Sequence, residues 1–119
     1  MAQFNDPKCN DAIIRYSPGF FLEWLLPQIE NLSEYEANWH VHVMSQSLME
    51  LYEGDSRRLI VNAPPRSLKT STCTTFFIAW LLGKDPTLQI ILATYTDEFA
   101  ENLGNKIRTL LCHSEYKRL

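Results

Sequence analysis

Nowhere in this sequence does an apolar run approach the roughly 20 residues that a membrane span needs. The longest candidates, 76–82 and 90–93, are too short or are interrupted by polar residues. The opening residues Met1-Ala2-Gln3-Phe4-Asn5-Asp6 carry neither the basic patch nor the apolar stretch of a signal peptide, so a cytoplasmic protein is expected. Cysteine is scarce: Cys9, Cys73 and Cys112 make an odd count with no C-x-x-C pair, so neither a disulfide framework nor a zinc knuckle is indicated. Positive charge is also short. A net charge of −3 argues against a dedicated basic nucleic-acid module acting alone, so contact with DNA would have to be local or made elsewhere in a larger protein. What remains is 119 residues, 45% of them hydrophobic, enough for one small globular domain and not the composition of a disordered chain.

Ser17-Pro18-Gly19 opens an aromatic and aliphatic cluster, Phe20 to Leu26, and predicts a short helix capped by Ser17 with Pro18 at its first position. Between Ala37 and Tyr52, Val41, Met44, Leu48, Leu51 and Tyr52 recur at three- and four-residue spacing, an amphipathic helix ended by Gly54. The pattern then changes. Arg58 to Asn62 is a short β-branched run, Ala63 to Leu68 a loop broken by two prolines, and Lys69 to Leu82 a buried helix closing at Gly83. Gln89 to Thr94 reads as a second buried strand, and Asp97 to about Cys112 as a second helix entered through Thr96 and the acids Asp97 and Glu98. Strand, loop, helix, strand and helix in that order predict an α/β fold with a parallel sheet covered on both faces. The expected division is a helical lead-in over 1–54 and the first β-loop-α-β-α part of a nucleotide-binding domain over 55–119.

The sharpest motif is the loop Val61-Asn62-Ala63-Pro64-Pro65-Arg66-Ser67-Leu68-Lys69-Thr70. A phosphate-binding loop works because backbone N–H groups and a helix N-terminus point at phosphate oxygens, a lysine reaches the terminal phosphates, and the next hydroxyl holds Mg²⁺. Lys69 and Thr70 have the right identity and place, while Ala63 and Leu68 stand where such loops carry glycine. Glycine there would supply positive φ and close backbone approach.

Asn62-Ala63-Pro64-Pro65-Arg66-Ser67-Leu68-Lys69-Thr70 resembles the proline-rich Walker A form of the large terminase subunits of tailed bacteriophages. Trp39-His40 upstream, Ala79-Trp80-Leu81-Leu82-Gly83 and Pro86 downstream, and Ile91 to Thr96 followed by Ala100 extend the resemblance over roughly residues 37 to 112. It implies an incomplete RecA-like P-loop NTPase sheet, with ATP and Mg²⁺ as cofactors. Lys69 would sit on the phosphates, flanked by Ser67 and Leu68 of the loop, with Thr70 on the metal, Arg66 as a second cation and Trp39 stacked near the adenine. It also implies DNA as the cargo of a full-length motor, with a portal and a small terminase subunit as partners.

Hydrolysis needs a Walker B carboxylate and a residue that orients water. The run Gln89–Thr94 ends in Thr-Tyr-Thr, with Asp97-Glu98 in a helix's first turn, and no later apolar strand ends in an acid. The chain is therefore expected to be the front of a packaging ATPase, cut short, that binds ATP without hydrolysing it alone and carries no nuclease centre. The competing expectation is an inactive prophage remnant or a small protein-interaction module that binds no nucleotide. His40 and His42 point about 200° apart on a helix and are expected to be solvated or capping, and Cys73 to be a small buried residue.

Overall fold

The computed structural model describes residues 7–30, 33, 35 and 37–119; the opening segment 1–6, read above for a leader, lies outside them. Among the described residues the architecture is all-helical. Helix α1 spans Pro7–Tyr16, α2 Pro18–Ile29 and α3 Trp39–Glu53; a helix that begins at Lys69 passes through a π-helical stretch, Ser71–Phe76, into α4, Phe77–Lys84; α5 spans Asp97–Cys112 and α6 Ser114–Arg118.

The caps explain where these elements start and stop. Ser17, in extended conformation, accepts from the Gly19 N–H, and Pro18 fills a first position that needs no donor. Asn38 caps α3 through the Trp39 N–H at 2.8 Å, and Gly54 ends it in the left-handed region at φ 89°. Thr96 caps α5 through the Phe99 N–H, with Asp97 and Glu98 at the positive end of the helix dipole.

One core joins these helices. Phe21, Leu22, Leu25 and Leu26 of α2 meet Val41, Met44, Leu48 and Met49 of α3, and Phe76, Phe77, Ala79 and Trp80 of the π-helical stretch and α4. Ile14 of α1 and Leu110 of α5 close its ends. The crossing of α2 on α3 is tight at Gly19, where an added Cβ would lie 2.6 Å from Ser45 Oγ.

The expected parallel sheet is overturned: among the described residues no strand forms. Arg58–Asn62 and Gln89–Thr94 carry no ladder, and Ile60 and Ile91 stand 87% and 94% exposed where a covered parallel strand would bury them. A strand is stable only in a sheet, and parallel strands need both faces covered. Here α2, α3 and α4 pack on one another, and only Leu59 and Val61 of the first run reach that core. The incomplete RecA-like sheet is therefore absent as well. No helix of the described residues is long and apolar enough to cross a membrane.

Candidate phosphate-binding loop

The loop that precedes the π-helical stretch has an unusual backbone. Arg66 and Leu68 both take positive φ, 61° and 57°, and they are the non-glycine residues of the described chain that do so. An L-residue in the left-handed region carries a cost of about 1–2 kcal/mol, because Cβ crowds the following carbonyl. That cost falls at Leu68, the position where a Walker A loop has glycine, so this leucine adopts the conformation that glycine would take. Two left-handed residues therefore flank Ser67 and bend the backbone on either side of it.

A helix N-terminus faces the same place. Lys69 and Thr70 are already helical, and the Leu68 carbonyl accepts from the Thr72 N–H at 2.8 Å. The first N–H groups of a helix have no intrahelical partner and carry its positive partial charge. Pro64 to Ser71 line a cleft of about 500 Å³. Its side chains include the cations Arg66 and Lys69 and no acid. Arg66 and Thr70 are exposed; Lys69 is half-buried and donates from Nζ to the Ala63 carbonyl at 3.2 Å, drawing the loop closed on its own first residue. An ammonium has three donors, so two remain.

Lys69 also acts on the helix behind it. Cys73 lies four residues on and donates from Sγ to Met44 Sδ at 3.7 Å. Burial pushes its thiol above the usual range while the Lys69 ammonium pulls the other way. Burial is the larger of the two effects, so the half-buried Cys73 thiol holds its proton more tightly than a free one.

Trp39 is 73% exposed at the start of α3, with its ring edge-on to His40. A second cleft, about 420 Å³, is lined by Trp39, His40, Val43 and Met44 of α3 and by Leu59 to Pro64 and Ser67. The two clefts share Pro64 and Ser67, so Trp39 and the loop belong to adjoining walls. Sequence reasoning missed the strut between them. His40 Nε2 lies 3.1 Å from the Ser67 carbonyl oxygen, a bond that requires the proton on Nε2. The partners are 27 residues apart, and no periodicity or motif links them.

The magnesium expectation fits only with a nucleotide in place. Among the described residues no group of three or more His, Cys, Asp or Glu could hold a metal ion. Asp97 and Glu98 belong to the first turn of α5, which Thr96 caps. Mg²⁺ keeps several waters and is commonly held by substrate phosphates plus a few protein oxygens. Thr70 Oγ1 is the one loop oxygen placed by the sequence motif to join such a shell.

No protein-family model, curated protein or solved structure matches this chain.

Proposed function

We propose that the segment Asn62–Thr70 binds the phosphates of ATP, with Mg²⁺ carried by the nucleotide, as the phosphate loop of a terminase-like packaging ATPase. The observation that carries this reading is the left-handed conformation of Leu68 directly before Lys69 at a helix N-terminus. Strain of this kind persists where surrounding structure holds it, and it concentrates at ligand clamps and active sites. Lys69 reaches the terminal phosphates, Arg66 offers a planar set of donors, and Thr70 contributes an oxygen to Mg²⁺. Ser67 Oγ, buried with no protein partner, is a polar group in the cleft wall that a ligand or water would satisfy. Trp39 stacks on the base from the adjoining cleft. The π-helical stretch immediately after the loop is a further support, since π-bulges are frequent at functional sites.

Hydrolysis is assigned to a longer motor that supplies the missing carboxylate. In that setting DNA is the cargo, a portal and a small terminase subunit are the partners, and the cytoplasm is the compartment. The test is Mg²⁺-dependent ATP binding to the intact chain, with Lys69→Ala as the comparison. Equal binding by the two proteins would remove the proposal.

A second reading draws on the surface rather than the loop. Ile60, Ile91 and Tyr95, each at least 85% exposed, favour a protein-interaction module or remnant that binds no nucleotide. It predicts concentration-dependent self-association or partner capture with no response to ATP, and a monomer across a dilution series counts against it.

A further inference from the structure

His40 stands on a fixed base at the start of α3. Asn38 caps that helix through the Trp39 N–H, and Val41, the next residue along, is fully buried in the core. From there His40 Nε2 donates to the Ser67 carbonyl at 3.1 Å, across 27 residues of sequence. Ser67 lies between Arg66 and Leu68, the two left-handed residues of the loop. On the phosphate-binding reading of Asn62–Thr70, on which this rests, we propose that His40 is the positioning residue of the loop. It touches no phosphate itself and sets the direction of the Leu68 N–H, the amide immediately before Lys69, for a bound polyphosphate.

The geometry of the peptide unit makes the link. In a trans peptide the carbonyl and the N–H that follows it point in opposite directions from one rigid plane. A donor that captures the Ser67 carbonyl therefore turns the Leu68 N–H away from His40. The histidine lines the cleft of Trp39 and not the phosphate cleft, to which Ser67 and Leu68 both contribute, so it acts on the loop from outside. Two more carbonyls of the loop are captured in the same way: Ala63 accepts from Lys69 Nζ, and Leu68 from the Thr72 N–H. A free carbonyl oxygen turned toward a phosphate would repel it, and each capture removes that possibility.

Of these donors only the imidazole comes from another element; Lys69 and Thr72 belong to the loop and to the helix that follows it. The strut thus ties a strained segment to the packed core, the kind of support that backbone strain at a ligand clamp requires. The rival role for His40 is direct contact with the base, since its ring meets Trp39 edge to face with centroids 6.1 Å apart. With Nε2 spent on Ser67, Nδ1 is the ring nitrogen left for such a contact.

The experiment compares the intact native chain with His40→Leu, which removes the donor, and His40→Gln, whose side-chain amide supplies an N–H in place of Nε2. Calorimetry measures binding of Mg²⁺-ATP and of Mg²⁺-tripolyphosphate, which has no base. The expected result is that His40→Leu weakens both ligands by the same factor, about fivefold for one hydrogen bond, and that His40→Gln restores both. Trypsin reads the loop with no ligand present. Cutting after the exposed Arg66 should be about fivefold faster in His40→Leu and near the native rate in His40→Gln. If the native chain binds neither ligand, the phosphate reading falls and this inference with it. If the native chain binds both, then unchanged affinity in His40→Leu, a loss confined to ATP, an unchanged rate of cutting, or no rescue by glutamine overturns the positioning role while the phosphate reading stands.

Discussion

Leu68 concentrates the account into one residue. At an ordinary position alanine is preferred to glycine by roughly 0.5–1 kcal/mol, because glycine loses more backbone freedom on folding. At φ 57° that order should invert. Leu68→Ala gives up the partial packing of the leucine against the core and keeps the strain, whereas Leu68→Gly gives up the same packing and sheds the strain. We expect Leu68→Gly to be the more stable of the two by about 1 kcal/mol in urea unfolding, taking the left-handed cost against the glycine penalty. If alanine is the more stable, Leu68 does not hold the left-handed conformation on which the phosphate-loop reading stands. The same residue shows the limit of pattern matching. By letter, leucine fails the glycine position; by backbone, it occupies it.

At the scale of elements, the close approach of α2 and α3 makes a prediction of its own. Gly19→Ala would place its Cβ 2.6 Å from Ser45 Oγ and 3.0 Å from Ser45 Cβ. Overpacking of this kind costs typically 1–3 kcal/mol, and the gain in helix propensity, up to about 1 kcal/mol, offsets only part of it. Thermal unfolding should show Gly19→Ala destabilised, and Ser45→Gly added to it should recover part of the loss; additive effects of the two would contradict the contact. Helices α2, α3 and α5 were legible because each carries its own signals: Ser17-Pro18 at one start, Gly54 at one end, and Thr96 with Asp97-Glu98 at another start. Those cues are local, and local chemistry enforces them. The two strands were misread because a short β-branched run signals only a tolerance for extended backbone. Whether it becomes a strand depends on a neighbour, and the helices take the core instead. Helix α1 is not among the expected elements, since a proline such as Pro7 opens turns as readily as helices, and here it serves as the first helical residue. The π-helical stretch carries no letter code at all. The candidate loop and Trp39 come from the sequence motif alone, while the His40 strut to Ser67 exists only through packing of α3 against the loop.

For the molecule as a whole, burial sets how stability responds to pH. Tyr35 and Tyr116 are pushed above the ordinary tyrosine value of 10.0, Tyr35 by burial and then by the nearby Glu23 carboxylate, Tyr116 by burial. Burial likewise raises Cys73 above 9.0. In each case the folded state holds the proton more tightly than the unfolded chain does. The resulting stability is complete below the unfolded values and is lost as pH rises through the raised folded values. Urea unfolding should therefore show stability falling above about pH 9–10. Tyr116→Phe should flatten that fall while losing the hydrogen bond to Ala79, a cost of about 0.5–1.5 kcal/mol at neutral pH. An alkaline fall equally steep in Tyr116→Phe would show that this hydroxyl is not part of it.

Phosphate binding is the central claim, and thermal unfolding with and without Mg²⁺-ATP tests it most directly. A ligand that binds only the folded chain stabilises it by RT ln(1 + [L]/Kd), about 2.7 kcal/mol at one hundred times Kd. The expected result is a rise in Tm that grows with ATP concentration in the native chain and disappears in Lys69→Ala. A Tm unmoved by ATP in the native chain, or moved equally in Lys69→Ala, would contradict a phosphate-binding role for the loop Asn62–Thr70.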